Sequence, residues 1–269
     1  MRGVTLLGVP WDEHSSHLRG AALAPPALRA ALRSPSSNLS TESGLDLGDE
    51  PRLADAGDLE VPPGVAAVET IEESVARLLD RERRVLVLGG DHAVAWPSVR
   101  AHARRYEDLT VLHLDAHPDL YDEFEGNRLS HACPFARIME EGQVARLVQV
   151  GIRTMNPPQR AQAERFGVEV IDMTLWRPDL TVNAAGPVYV SLDLDVLDPA
   201  FAPGVSHPEP GGLSTREVIG LLQRVKGPVV GADLVELNPT RDPTGLTARV
   251  AAKLAKELLA RLLTTAECG

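Results

Sequence analysis

The sequence lacks the features of a secreted, membrane-spanning or nucleic-acid-binding protein. It contains only two cysteines, Cys133 and Cys268, so no disulfide framework is expected and a reducing cytoplasm is indicated. No run of roughly 18 consecutive apolar residues is present, as a membrane-spanning helix would require. The short apolar run near the N-terminus lacks the length and cleavage site of a signal peptide. The formal net charge of −11 argues against the basic surface that nucleic acids need. We therefore expect a cytoplasmic protein without nucleic-acid or membrane partners.

The hydrophobic pattern predicts an α/β fold. Short apolar runs with the length of strands occur at residues 4–9, 85–88, 110–114, 147–150, 168–171, 188–192 and 229–234. Apolar residues at three- and four-residue spacing predict helices at 25–32, 65–79, 93–105, 157–166, 215–225 and 246–263. The segment 34–63 is rich in Ser, Pro, Gly and acidic residues and predicts a long surface excursion. The alternation predicts a single domain, residues 1–269, with one doubly wound, mostly parallel sheet and helices on both faces.

Two segments place acidic and imidazole side chains at every second position after an apolar run. Residues 113–119 read His-Leu-Asp-Ala-His-Pro-Asp, and residues 191–195 read Ser-Leu-Asp-Leu-Asp. In an extended strand, side chains two residues apart point to the same face. Like charges at this density repel unless cations lie between them, which indicates a pair of divalent metal ions. The side chains concerned are Asp115, His117, Asp119, Asp193 and Asp195.

Polar clusters follow four of the predicted strands. They lie at residues 89–92, 115–119, 193–195 and 233–239. Because the carboxyl ends of parallel strands line the ligand crevice of an open sheet, we expect the four clusters to converge. Four aspartates would balance two divalent cations, and His92 and His117 would complete the set as neutral ligands. Oxygen-rich sites with some imidazole suit manganese, and a metal pair roughly 3.5–4 Å apart can convert a shared water into hydroxide.

These residues resemble the ureohydrolase family, which includes arginase, agmatinase, formimidoylglutamase and guanidino-acid hydrolases. The motifs that carry the resemblance are Gly-Gly-Asp-His at 89–92, Asp-Ala-His-x-Asp at 115–119 and Ser-Leu-Asp-Leu-Asp-x-Leu-Asp-Pro at 191–199. The resemblance covers nearly the whole chain. It implies an arginase-like, three-layer α/β/α fold, two Mn²⁺ ions per chain, and a trimer or hexamer.

The resemblance also implies a role for each site residue. One manganese would be bound by His92 and Asp119, the other by His117 and Asp195, and Asp115 and Asp193 would bridge both. His131 matches the histidine that carries a proton to the leaving amine, and Glu236 matches the acid that holds the guanidinium. The catalytic set is therefore His131, Glu236 and Asp119, and the substrate-binding set is Glu236, His131 and Asn156. The implied reaction is attack of a bridging hydroxide on the amidine carbon, with release of urea or formamide and an amine.

The expected substrate is a linear, cationic guanidino or amidino compound, and agmatine is the leading single candidate. Residues 195–204 and 208–212 look most like agmatinases and guanidino-acid hydrolases. Asn156 stands where arginases have an aspartate that contacts the substrate's α-amino group, which counts against a standard arginase. Asp91 stands where formimidoylglutamases usually have glycine. Formimidoylglutamase, arginase and guanidino-acid hydrolase remain the alternatives.

Several residues near these motifs have open roles. His113 lies two positions before Asp115, on the same face of the predicted strand, and is expected to support the ligands rather than to bind metal. His14, His17 and His207 either line the entrance or are plain surface histidines. Ala132 stands where most arginases and agmatinases have glycine, and the Cys133 thiol is expected to pack in the interior. These residues are expected to shape the surroundings of the site rather than to bind the metals.

Two other classes of protein fit less well. A deacetylase-like hydrolase with one zinc needs only an Asp-x-His and one further aspartate. A non-catalytic binding homologue would be indicated by a lost ligand, and all six ligands are present. Metal stoichiometry and turnover separate these classes from a dinuclear hydrolase.

Overall fold

Parallel strands form the centre of the molecule in the computed structural model, which describes residues 3–265. The strands are β1 (Gly3–Gly8), β2 (Leu53–Asp58), β3 (Arg83–Leu88), β4 (Thr110–Leu114), β5 (Arg146–Val150), β6 (Glu169–Ile171), β7 (Val188–Asp193) and β8 (Val229–Val235). They make one sheet in the order β2-β1-β3-β8-β7-β4-β5-β6. Each neighbouring pair is parallel. The predicted parallel sheet is therefore confirmed.

Helices cover both faces of the sheet. They are α1 (Ala24–Leu32), α2 (Val65–Asp80), α3 (Ala95–Arg105), α4 (Pro134–Glu140), α5 (Pro157–Phe166), α6 (Thr215–Arg224) and α7 (Leu246–Thr264). One hydrophobic core lies between the sheet and α1, α6 and α7, and a second lies between the sheet and α2, α3, α4 and α5. Within β3, Leu86 and Leu88 face the first core, while Val85 and Val87 face the second. This alternation explains why the strand is apolar on both faces.

Two elements differ from the sequence expectation. The segment 34–63, predicted to be a surface excursion, contains β2, and α4 was not predicted. β2 is a mostly exposed edge strand with the sequence Leu-Ala-Asp-Ala-Gly-Asp, so its pairing with β1 depends on backbone hydrogen bonds and leaves no apolar alternation. α4 has only seven residues, about two turns, which is too short for a clear helical period.

The order of the strands brings the polar clusters together. β3, β8, β7 and β4 are consecutive neighbours in the middle of the sheet, and each has one of the four clusters at or directly after its carboxyl end. Within residues 3–265, no helix combines the length and apolar character needed to cross a membrane. Cys133 is buried as expected, whereas Cys268 lies outside the described residues.

Candidate metal centre

The predicted ligands meet at the carboxyl end of the sheet and are almost all buried. His92, Asp115, Asp193 and Asp195 are each at most 3% exposed, and Asp119 is 7% exposed. Asp119 has a φ of 49°, in the left-handed region that non-glycine residues rarely adopt. Such a backbone costs on the order of 1–3 kcal/mol and persists where the surroundings enforce it, as at functional sites. Here it accompanies a carboxylate that points into the cluster.

The first donor group surrounds His92. Its Nδ1 atom lies 3.0 Å from Asp115 Oδ2, 3.0 Å from Asp119 Oδ2 and 3.1 Å from Asp193 Oδ2. Burial, together with the charges of Asp195 and Asp115, raises the pKa of Asp193 well above its usual range. Three carboxylates at this separation are unfavourable in the interior unless a positive charge lies between them.

The second donor group surrounds His117. Its Nδ1 atom lies 3.0 Å from Asp195 Oδ2 and 3.4 Å from Asp115 Oδ1. Asp115 therefore offers one oxygen to each group, as a bridging ligand would. Asp193 faces His92 through Oδ2, while its Oδ1 atom accepts a hydrogen bond from the Asp195 N–H at 2.8 Å. The division of ligands between two sites follows the expected pattern, and a bridging role for Asp193 stays a prediction.

A hydrogen-bond chain behind His92 identifies the atom that faces the carboxylates. Tyr189 and Ser191 donate their hydroxyl protons to the two oxygens of Asp233, at 2.8 and 2.7 Å. Because the Ser191 hydroxyl is used in this way, it must accept from His92 Nε2, which lies 2.9 Å away. The lone pair of His92 is then on Nδ1, which is buried and has no hydrogen-bond partner among the described residues.

The unpartnered Nδ1 atom of His92 fits a metal ion. Burial lowers the pKa of His92, but the surrounding carboxylates of Asp115, Asp119 and Asp193 more than offset it, so that the pKa rises well above its usual range. The cluster therefore demands positive charge at Nδ1, which a proton or a metal ion can supply. Imidazole and carboxylate donors with a hydrogen-bonded support behind the imidazole are the usual surroundings of a metal.

His113 supports the cluster rather than binding metal, as the sequence predicts. The Gln149 amide donates to the Pro118 carbonyl at 2.6 Å and to His113 Nδ1 at 2.9 Å. His113 Nε2 is then the protonated nitrogen, and it donates to Asp115 Oδ2 at 2.7 Å. Neither ring nitrogen has a free lone pair for a metal ion, so His113 orients Asp115.

His131 and Glu236 form a buried pair beside the first donor group. His131 Nδ1 lies 2.8 Å from Glu236 Oε1. The Ser16 backbone N–H donates to His131 Nε2 at 3.1 Å, and the Ser16 hydroxyl lies 2.8 Å from the same atom. Nδ1 is therefore the donor to Glu236. Burial lowers the pKa of His131, and the Glu236 charge outweighs burial and raises it to about 9.

Glu236 keeps one carboxylate oxygen free. Its Oε1 atom accepts from His131 and from the His92 backbone N–H at 2.9 Å, whereas Oε2 is buried without a partner among residues 3–265. Burial raises the pKa of Glu236, and the charge of His131 reverses this so that the pKa lies below its usual value. The side chain is thus an ionised acid with an unused acceptor. Its φ of 66° is again in the left-handed region.

A cavity of about 200 Å³ opens beside both donor groups. Lysine and arginine are absent from its lining residues, so the cavity suits a cation. The lining residues are Ser16, His117, Asp119, Tyr121, Phe124, His131, Ala132, Gln159, Asp193, Asp195, His207 and Glu236.

Of the remaining residues singled out in the sequence, Ala132 and His207 line the cavity and the others do not. Asn156 caps the N-terminus of α5, where its Oδ1 accepts from the Gln159 N–H at 3.3 Å and its amide donates to the Tyr121 hydroxyl. It stands behind the cavity wall, and direct substrate contact stays a prediction. His14 and His17 are not lining residues, whereas His207 is.

Sequence reasoning missed Ser16, Tyr121, Phe124 and Gln159. Ser16 lies in the loop after β1, whose carboxyl end is on the same edge of the sheet as the ligands. That position is the signal that could have identified the loop. Tyr121 follows the ligand motif directly, and Gln159 is on the first turn of α5. Neither Tyr121 nor Gln159 has a sequence signature.

Comparison with known proteins identifies the family. Residues 2–260 match the family model described as the arginase family. The chain belongs to the arginase family. Arginase 1, mitochondrial, from Arabidopsis thaliana is 50% identical over 275 residues, covering 96% of this chain and 80% of that protein. The agmatinase of Bacillus cereus is 35% identical over 267 residues, covering 95% of this chain and 90% of that protein.

The solved structure of the arginase from Medicago truncatula has the same fold. Its TM-score is 0.90 at 44% identity, over 97% of this chain and 87% of that chain. This confirms the arginase-like, three-layer fold and the ureohydrolase resemblance. The arginase-family chain is a hydrolase of guanidino C–N bonds, and its His and Asp clusters can hold metal ions.

Proposed function

We propose that the chain hydrolyses L-arginine to L-ornithine and urea with two manganese ions. The observation that supports hydrolysis of a guanidino group is the unpartnered Oε2 atom of Glu236. This atom belongs to the same cavity as the donor groups of His92 and His117. The comparisons support arginine, because the Arabidopsis arginase is 50% identical and the Bacillus cereus agmatinase 35%. Agmatine, the leading candidate from the sequence, becomes the second one.

The donor set fits two ions of an oxygen-preferring metal such as manganese. His92 and Asp119 would hold one ion and His117 and Asp195 the other, with Asp115 and Asp193 between them. When bound, the ion pair supplies a water-derived nucleophile at neutral pH.

Glu236 binds and orients the guanidino group. Its free Oε2 atom accepts an N–H of the planar cation, while its Oε1 atom is fixed by His131 and by the His92 backbone. The absence of lysine and arginine from the lining leaves the negative charge of the cavity for the substrate. The guanidinium carbon is thereby held next to the two donor groups.

His131 moves a proton during the reaction. Conversion of a guanidinium and water into urea and an alkylammonium transfers both water protons to the leaving nitrogen. At least one of these transfers needs a group that holds a proton near neutral pH. The Nε2 atom of His131, on the side of the ring opposite Glu236, has a lone pair that accepts from the Ser16 N–H. This atom takes up that proton when the Ser16 contact opens, and the pKa raised to about 9 favours the protonated ring.

One structural feature favours agmatine. The cavity lining contains no lysine or arginine to neutralise an α-carboxylate, and Asn156 offers no charge for an α-ammonium group. Agmatine lacks the α-carboxylate. The two substrates must therefore be compared on the same protein.

The test is product release from manganese-loaded protein. Urea is measured with arginine, agmatine, guanidinobutyrate and guanidinopropionate, and formamide with formimidoylglutamate, alongside metal content. We expect two metals per chain and the highest kcat/KM with arginine. A higher value for agmatine would replace arginine as the substrate. One metal per chain without urea would support the mononuclear hydrolase, and no metal with no turnover would support a binding homologue.

A further inference from the structure

His207 is a cavity residue to which the proposed function assigns no role. It lies in the loop between β7 and α6 and shares the cavity lining with Glu236. Its ring centroid is 5.0 Å from that of His131 and 6.1 Å from that of His117. His207 thus neighbours both the proton-carrying side chain and the second donor group, and a substrate held by Glu236 in the same cavity comes within its reach.

The ring nitrogens of His207 are nearly unused. Within residues 3–265, its one hydrogen-bond contact is with the Ser16 hydroxyl, at a long 3.5 Å from Nε2. The Ser16 hydroxyl also lies 2.8 Å from His131 Nε2, which is the shorter of its two contacts. His207 therefore has polar capacity left for a molecule in the cavity.

No carboxylate forms an ion pair with His207 within residues 3–265, so no described contact holds its ring as a cation. A neutral imidazole has one nitrogen that accepts a hydrogen bond, whereas an imidazolium has none and would repel a guanidinium. The ring thus offers an acceptor close to the position of the substrate's positive charge.

Glu236 cannot satisfy a guanidino group alone. An alkylguanidinium has five N–H donors in one plane, and Glu236 has a single free oxygen. We propose that His207 is a specificity-determining residue whose ring nitrogen accepts an N–H of the substrate's guanidino group. This inference rests on the proposed function. A formimino group has fewer N–H donors, so His207 favours guanidino over formimino substrates.

The experiment compares His207→Ala and His207→Gln with wild type. His17→Ala is the matched control, because His17 packs against the His207 ring at 5.5 Å but does not line the cavity. Loss of a hydrogen bond to a charged group predicts a fall in kcat/KM for arginine on the order of 10- to 100-fold for His207→Ala. This fall should come mainly through KM. His207→Gln keeps an acceptor and should recover part of the loss, and His17→Ala should match wild type.

Two further readouts separate this role from a structural one. Metal content should stay at the wild-type value in each variant. Inhibition by ornithine, which has no guanidino group, should be unchanged in His207→Ala, while the preference for arginine over formimidoylglutamate should shrink.

The outcomes are distinguishable. Wild-type protein that releases no urea would overturn the proposed function. An active wild type with an unchanged KM in His207→Ala would overturn the inference alone. Equal weakening of arginine and ornithine binding would also overturn it, because the ring would then only shape the cavity.

Discussion

His131 Nδ1 and Glu236 Oε1 lie 2.8 Å apart, so the side chain proposed to move the proton is hydrogen-bonded to the one proposed to hold the substrate. The Glu236 charge outweighs burial and raises the pKa of His131 to about 9. A guanidinium bound to Glu236 shares that charge and lowers the pKa of His131 again. Substrate binding should therefore ease proton release at the position of the leaving amine.

Glu236→Gln tests this coupling. The amide keeps the shape but not the charge, so burial should dominate and the pKa of His131 should fall well below 9. We expect kcat/KM for arginine to drop about 10- to 100-fold, because a charge-assisted hydrogen bond becomes a neutral one. Titration of the His131 ring by NMR in metal-free protein, with arginine kinetics on loaded protein, measures both effects. An unchanged His131 titration would contradict the coupling.

His131→Ala separates proton transfer from metal binding. His131 belongs to neither donor group, so metal content should remain at the wild-type value. Removing a general acid or base typically costs on the order of 10²–10⁴ in rate, which should appear in kcat. Added imidazole should restore part of the rate. A variant with wild-type kcat would show that another group carries the proton.

The residues of the two donor groups were predictable from the sequence, and the cavity wall was not. Motif spacing identifies Asp115, Asp119 and Asp193, but Asp115 and Asp119 lie beyond the end of β4 at Leu114 and not in an extended strand. The parallel order of β3, β8, β7 and β4, rather than strand parity, brings these side chains together. Both features are local or follow from general rules of the fold. Ser16 comes from a loop far from the motifs in sequence, and its contact with His131 depends on loop conformation, which no periodic pattern encodes.

The edge strand β2 could not be predicted from the sequence either. β2 pairs with β1, but its side chains are mostly exposed, so burial imposes no apolar pattern on its sequence. Asn156 illustrates the reverse case. The family resemblance predicts substrate contact for Asn156, and the structure adds a role that the resemblance did not indicate, because its side chain caps α5.

Asp193→Ala should remove metal and activity together. Asp193 Oδ2 faces the His92 donor atom at 3.1 Å, so its loss takes away one of the oxygens of the first group. We expect less metal per chain and no measurable urea release. Asp49→Ala, an exposed acid before β2, is the matched control for charge. Wild-type metal content and rate in Asp193→Ala would exclude the proposed centre.

Tyr189→Phe tests the chain behind His92. The Tyr189 hydroxyl donates to Asp233 Oδ2 at 2.8 Å and has no contact with the donor oxygens around His92. Losing this support should weaken manganese binding by about 10-fold, the lower end of what such outer partners contribute. Metal-binding isotherms on folded protein measure the effect. Equal dissociation constants in wild type and variant would show that Asp233 is held by Ser191 alone.

His102 should make the fold sensitive to acid independently of the metal centre. Its ring is fully buried against Tyr189, with Nδ1 donating to the Ser98 carbonyl at 2.8 Å, and burial lowers its pKa to about 4. The unfolded chain has the ordinary value of about 6.5, so between these values only the unfolded state binds the proton. The free energy of unfolding is therefore unaffected above about pH 6.5 and falls as the pH drops toward 4, by about 2 kcal/mol between pH 7 and pH 5.

His102→Asn keeps a donor for Ser98 and removes this titration. The packing loss in this variant should lower the free energy of unfolding equally at both pH values. With metal removed from both proteins by a chelator, the wild type should therefore lose about 2 kcal/mol more than the variant between pH 7 and pH 5. Urea unfolding at the two pH values measures this difference. Parallel pH dependence in the two proteins would show that His102 does not contribute to the acid sensitivity.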